Sequence, residues 1–334
     1  MLKINNVTKK VANQDVLCGI NLCFEEKGIY GVLGVEGAGK TTLARIICGC
    51  IDADDGAVML SDAPMSRSAL SLKKKIRLVP SLLTADQSMS AFEYLDFIGS
   101  SLGVEPDKKY RQIKEAAELL RIEGLQKRTI ASLSTTDKCK LMLAGSLIGN
   151  PDVLVIDDSL SYIDRSAVEE IYALLRLLGK IKTLVIFSHT PTITKDLCKR
   201  VAIMCGGKIV LDERAEDIEA KINSTHEMKI TVRGNAERII TAIESLTSVV
   251  QAKILSADKN DVHSISVEHY PDASIKDKLF SALAAINAPM LTVKSIVLTL
   301  DDVFYSLTLP DKKRQEQLIA SLSASTSKSR KENM

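Results

Sequence analysis

The chain has 334 residues, 46% of them hydrophobic and only 4% aromatic, with no tryptophan. That length suits two domains whose cores must be packed mainly from aliphatic side chains. Formal charge is +2, from 44 basic and 42 acidic residues, a balance that excludes the basic excess a nucleic-acid partner usually demands.

The N-terminus, MLKINNVTKK, has no apolar signal core, and no stretch reaches the roughly 18 consecutive apolar residues of a membrane span. Cysteine occurs at 18, 23, 48, 50, 139, 198 and 205, and only Cys48-Gly-Cys50 is a close pair. No further Cys or His stands near it at metal spacing. The seven read as reduced, mostly buried thiols of a cytoplasmic protein.

In chain order, LKINNV, VLCGINLCFE and IYGVLGV read as strands, the last a continuous apolar run suited to burial on both faces. A helix is expected from Thr41 to Cys50, with Leu43, Ile46 and Ile47 on one side and Gly49 at its end. AVMLSD (57–62) and IRLVP (76–80) are short strands. From about 88 to 150 helical periodicity takes over, with Ile113, Ala116, Ala117 and Leu120 on one face. VLVID (153–157) and TLVIFS (183–188) flank the helix AVEEIYALLRLLG, a βαβ unit that requires a parallel sheet. Gly206-Gly207 marks a hairpin turn within 200–213.

Beyond about 225 the pattern changes to strand MKITVRG, helix AERIITAIESL, strands VVQAKILSA and VHSISVEH, helix SIKDKLFSALAAI and strand MLTVKSI. This βαββαβ order is ferredoxin-like. A short helix, TLDDVFYSLT, closes it, and the Ser/Lys-rich tail SASTSKSRKENM has nothing apolar to bury, so disorder is expected there. The domain plan is therefore 1–222, 226–309 and a tail at 310–334.

GVEGAGKT fits the phosphate-binding pattern G-x-x-x-x-G-K-[ST] at Gly34, Gly39, Lys40 and Thr41, between a buried strand and a helix. In that context the glycines let main-chain N–H groups curl toward phosphate oxygens, and the helix adds the positive end of its dipole. Lys40 can reach the β- and γ-phosphates, and the Thr41 hydroxyl can ligate Mg²⁺. A nucleoside triphosphate site also needs a carboxylate at the end of a neighbouring strand, and VLVIDD supplies Asp157. The competing readings are a ligand-free glycine turn and an Asp that caps a loop.

Together these residues resemble the ATP-binding subunits of ABC transporters. The landmarks come in that family's order: P-loop (34–41), helical subdomain, LSTTDK (133–138) at the signature position, VLVIDD, and FSHT (187–190). The resemblance spans about residues 2–220. It implies an α/β P-loop NTPase core with antiparallel β and helical subdomains, working as a homodimer or heterodimer that clamps ATP and Mg²⁺. The C-terminal α+β ferredoxin-like part looks like the accessory domain of ABC-2-type exporter ATPases.

By that resemblance Gly37, Ala38, Gly39, Lys40, Thr41 and Thr42 would cradle the phosphates. Thr41 and Asp157 would serve the metal, and Asp158 and His189 the attacking water and γ-phosphate. Ser134 would contact the nucleotide from the signature, Val11 would meet the adenine, and Asp164 would lie in a loop carrying contacts across the dimer. A histidine after a buried strand is otherwise a structural one, and Asp164 otherwise an ordinary helix N-cap.

Departures from the family pattern fall at four landmarks. Asp158 stands where a glutamate is usual, about 1.5 Å shorter in reach, and a misplacement of about 1 Å can cost on the order of 10²-fold in rate. Thr135 and Thr136 replace two signature glycines with β-branched side chains. Ser134 to Asp137 also fits a capping box that would start an ordinary helix. Val11 offers no π-face, and Ser81 sits where a glutamine would relay nucleotide state, with Gln87 six residues on.

Two functions follow. One is an ATPase subunit that drives export through a separate integral-membrane permease, docked by region 88–130, with slow turnover and a peripheral place on the inner face of the membrane. The other is a non-hydrolysing nucleotide-binding half of an unequal dimer. A soluble P-loop kinase or GTPase ranks last, because an arginine-rich substrate lid is missing and a helical insert separates Lys40 from Asp157.

Overall fold

The structure, a computed structural model, describes residues 1–222, 226–258, 261–270, 272–296, 304 and 305. It divides into two compact units, the first built on Met1–Ala215 and the second starting at Glu216.

Three strands open the chain, β1 (Leu2–Val11), β2 (Gln14–Phe24) and β3 (Gly28–Gly34). Next come α1 (Lys40–Ile47), β4 (Asp55–Leu60), β5 (Ala63–Pro64), α2 (Leu70–Lys73) and β6 (Ile76–Val79). The helical stretch holds α3 (Ala91–Ser101), α4 (Pro106–Leu120) and α5 (Thr135–Leu147). The unit is completed by β7 (Val153–Asp157), α6 (Arg165–Gly179), β8 (Thr183–Ser188), α7 (Pro191–Leu197), β9 (Arg200–Cys205) and β10 (Lys208–Arg214), after which α8 (Ala215–Ile222) begins.

Two sheets form from these strands. One is antiparallel in the order β2-β1-β4-β5; the other runs β10-β9-β3-β8-β7-β6 and is parallel from β9 to β6. β3 and β7 up to Ile156 are apolar because helices cover both faces of a parallel sheet, and their side chains are buried accordingly. Leu43, Ala44, Ile46 and Ile47 of α1 join a core with Leu2, Ile4 and Ile20 of the antiparallel sheet and Val32, Val155 and Phe187 of the parallel one. That shared core anchors the start of α1 at the carboxyl ends of the parallel strands.

The hydrophobic face expected for α4 is buried in full at Ile113, Ala116, Ala117 and Leu120. Lys109 ties α4 to α3 through Asp96 at 2.6 Å and Ser100 Oγ at 2.9 Å. Elsewhere the elements differ from the sequence reading at their ends. β1 and β2 form a hairpin around Ala12 and Asn13, both at positive φ (47° and 65°), the geometry a two-residue turn needs. Val11 is therefore a strand residue and not part of a loop. Helix α1 stops at Ile47, and β4 stops at Leu60 because Ser61 and Asp62 turn at φ 50° and 64°. Only Cys48, Cys139 and Cys198 are buried, while Cys50 is exposed and Cys18, Cys23 and Cys205 are half-buried. The last three lie at strand positions with one face toward solvent.

The second unit comprises β11 (His226–Arg233), α9 (Ala236–Glu244), β12 (Val249–Ala257), β13 (Val262–His269), α10 (Ile275–Ala285) and β14 (Met290–Ile296). The sheet order is β12-β13-β11-β14 with every neighbour antiparallel. Alternate residues Met228, Ile230 and Val232 of β11 and Ile265 and Val267 of β13 face Ile239, Ile243, Leu279 and Leu283 of the two helices. This is the βαββαβ arrangement. Of the closing segment TLDDVFYSLT only Phe304 and Tyr305 are described, and the tail at 310–334 lies outside the described residues.

Candidate active site

The loop after β3 is shaped by its glycines. Gly39 has φ 101°, and a Cβ there would stand 2.8 Å from the Val16 carbonyl oxygen, so both conformation and space demand glycine. Gly37 also has positive φ, 78°, but a Cβ there would meet nothing within 4 Å. The loop is thus closed on its protein side at Gly39 and open at Gly37. Within it the Ala38 N–H donates to Val35 O at 3.1 Å. Gly34 and Ala38 are buried, while Gly37 and Thr41 are exposed and Gly39 and Thr42 half-buried. At the mouth of α1 the first N–H groups have no partner within their own helix.

Lys40 is 8% exposed and folds back over the loop, donating from Nζ to Gly34 O at 2.8 Å and Val35 O at 3.0 Å. Burial lowers its pKa, and the charges of Asp158, Asp157 and Glu36 oppose that. One step along, the Thr41 hydroxyl donates to Asp157 Oδ1 at 3.2 Å. Asp157 is buried at the end of β7, and burial raises its pKa, with the Thr41 hydrogen bond pulling the other way. Its strand is not the direct neighbour of β3 as the sequence reading supposed: β8 lies between them. The reach is made by α1, which packs on both β7 and β8.

Asp158 follows at φ 56°, ψ 9°, in the left-handed region, where a short Asp side chain is among the few that fit. Its N–H donates to Phe187 O at 2.9 Å, which fixes it against the end of β8. Its Oδ2 lies 2.7 Å from His189 Nδ1, and its Oδ1 accepts from Ser161 Oγ at 2.6 Å. The shorter carboxylate therefore still engages the histidine.

The structure brings Lys40, Thr41, Asp157, Asp158 and His189 to one end of the parallel sheet. Five other candidates are placed differently. Ser134 is the N-cap of α5 and accepts from the Asp137 N–H at 3.0 Å. Val11 is 48% exposed at the end of β1. Gln87 donates to Ala85 O at 2.9 Å within its own loop, and Ser81 is half-buried. Asp164 occupies the N-cap position of α6 but makes no side-chain bond to that helix; its Oδ2 instead accepts from Thr136 Oγ1 at 2.8 Å. Sequence reasoning treated Thr136 only as bulk in place of glycine and did not single out Ser161. A hydroxyl at each was the one available signal.

Residues 17–161 match the family model described as ABC transporter. Over those residues, which take in the phosphate loop and Asp157, the chain is similar to that family. It is 26% identical over 291 residues to the linearmycin resistance ATP-binding protein LnrL of Bacillus subtilis (strain 168), covering 85% of this chain and 89% of that protein. It is 27% identical over 212 residues to the Nod factor export ATP-binding protein I of Burkholderia lata, covering 63% of this chain and 70% of that one. In fold, the chain is like the ATP-binding cassette MJ0796 in a dimeric post-hydrolysis state bound to ADP and Pi. The TM-score there is 0.59 at 20% identity, over 64% of this chain and 99% of that one. The phosphate loop, the Thr41–Asp157 pair and Asp158 all lie within the residues that match the family model, and His189 lies beyond them.

Proposed function

We propose that this chain is the ATP-binding subunit of an ABC exporter, hydrolysing Mg-ATP slowly at a dimer interface to drive a separate membrane permease. The observation that carries it is the Asp158–His189 pair standing beside a formed phosphate loop. The relatives named for resistance and for Nod factor export support the exporter class. Among the described residues no helix is long and apolar enough to cross a membrane, which leaves translocation to a partner. Region 88–130 would dock that partner, and the cassette would act at the inner face of the membrane.

The residues present fit Mg-ATP. Gly37, Gly39 and the first turn of α1 present main-chain donors where the loop is open. Lys40 would exchange its two carbonyl partners for phosphate oxygens, gaining charge-assisted bonds. Thr41 and Asp157 offer hard oxygen ligands. Among the described residues no three His, Cys, Asp or Glu side chains gather as a metal cage, so a cation here would take few protein ligands, as magnesium does beside phosphates. Bound magnesium would supply charge neutralisation of the phosphate oxygens.

The chain's own chemistry falls to Asp158 and His189. A carboxylate has about four lone-pair sites; two of Asp158's are taken by Ser161 and His189, leaving others to orient and deprotonate water. With Nδ1 held by Asp158, His189 can donate toward a phosphate from Nε2 only when its ring is protonated. Both groups act after binding, so they set turnover.

A second reading, the non-hydrolysing half of an unequal dimer, is favoured by Thr135 and Thr136 at the signature. The rate of Mg-ATP hydrolysis per chain, followed against protein concentration, tests both. A site completed by a second copy gives a rate that climbs with concentration. A rate per chain independent of concentration contradicts the dimeric site, and turnover equal to blank at every concentration favours the second reading.

A further inference from the structure

Thr136 is 7% exposed and sits in the first turn of α5. Its single hydroxyl makes two bonds to one residue: it donates to Asp164 Oδ2 at 2.8 Å and accepts from the Asp164 N–H at 3.1 Å. A threonine hydroxyl can serve as donor and acceptor at once, and here it does both toward one residue 28 positions away. Asp164 gives up its usual role in return. It stands at the N-cap of α6, yet its carboxylate turns across to α5 and leaves its own helix without a side-chain cap.

The segment from 158 to 164 is therefore held at both ends. At the front, Asp158 is bound to the end of β8 through Phe187 O and to His189. At the back, Asp164 is bound to Thr136. Inside, Ser161 returns a hydrogen bond to Asp158 at 2.6 Å, so a shift at the back of the loop is transmitted to the carboxylate at the front. We propose that Thr136 is a positioning residue. Its hydroxyl fixes the loop that aims Asp158 and His189, and so governs the hydrolytic step without contributing to nucleotide affinity. This rests on the functional reading above and adds a specific task to the signature departure. A residue that on bulk alone would only crowd the surface supplies a tether through its hydroxyl.

The test separates hydroxyl from bulk. Thr136→Val keeps the branched shape and loses the hydroxyl, whereas Thr136→Ser keeps the hydroxyl and loses the methyl. Thr136→Val should lower kcat for Mg-ATP about tenfold with the ATP Kd unchanged, in line with a sub-ångström misplacement. Thr136→Ser should stay within about twofold of the parent, on the view that the tether resides in the hydroxyl. Asp164→Ala should lower kcat as Thr136→Val does, and the double variant should lose no more than either single one, because both break one link.

A second readout needs no turnover. The His189 ring resonance in isotope-labelled protein, one of four histidines and assigned with His189→Ala, should move in Thr136→Val and in Asp164→Ala and stay in Thr136→Ser. Equal behaviour of the Val and Ser variants, or loss of ATP affinity in parallel with kcat, overturns the proposal, as does an unmoved His189 signal. Absence of ATP binding by the parent protein would defeat the functional reading instead, and the histidine signal would still decide the tether.

Discussion

The loop at 34–41 and the loop at 158–164 meet at the same end of the parallel sheet and are held by different forces. The first is defined by its main chain: positive φ at Gly37 and Gly39, a wall at Val16 O, and a lysine bonded to the loop's own carbonyls. The second is defined by side chains that come from elsewhere, His189 and Thr136, together with its own Ser161. A main-chain cradle either exists or does not, and on the proposed function it governs binding. A loop clamped by side chains can be retuned one hydrogen bond at a time, and on the same proposal it governs turnover. Two departures near the chemistry, Asp158 and Thr136, lie on the second side.

That contrast can be broken by mutation. The largest effect is expected for Lys40→Ala, which strips the cradle of its cation. Hydrolysis should fall by at least about 10²-fold, and ATP affinity should fall with it, measurable by calorimetry beside a coupled phosphate-release assay. Next is Asp158→Asn, which keeps size and loses charge. Turnover should drop about 10²-fold, the low end for a lost general base, while the ATP Kd stays within about twofold, because this loop is not part of the cradle. A matching loss of affinity would erase the division of labour.

A pH experiment sharpens the comparison at Asp157. Burial raises its folded-state pKa above that of a free carboxylate. In the protein alone this group's contribution to stability is greatest below the unfolded pKa and is lost as pH rises through the folded one. A metal ligand must be ionised, so magnesium dependence runs the other way and fades as pH falls toward that raised value. Mild acidification should therefore shrink the thermal protection given by Mg-ATP at a pH where ordinary exposed aspartates are still charged. Protection that persists down to the usual carboxylate range would remove Asp157 from the metal site.

The smallest effect is expected at Val11. Val11→Tyr places a ring at the exposed end of the hairpin and should tighten ATP binding about three- to tenfold, the worth of a stacked aromatic. No change would mean that the base does not reach the end of β1.

How much of this was legible in the sequence follows from the same division. The cradle could be read because glycine spacing and a flanking strand and helix are local, and the buried runs of β3 and β7 announced a parallel sheet. The insertion of β8 between them could not, since strand order depends on pairings formed only in three dimensions. The Ala12–Asn13 turn was missed because neither residue is glycine. Thr136 and Asp164 each had an ordinary local explanation, one as crowding and the other as a helix cap. Only their meeting across 28 residues gives either a different role.

The account depends most on the 34–41 loop holding a polyphosphate with Lys40. The direct measurement is calorimetric titration of Mg-ATP into the parent protein and into Lys40→Ala at matched concentrations. The account predicts saturable heat for the parent and a loss of at least about tenfold in affinity for the variant, the cost of removing a charge-assisted contact. No heat from the parent at millimolar nucleotide, or equal affinity in both, would contradict it.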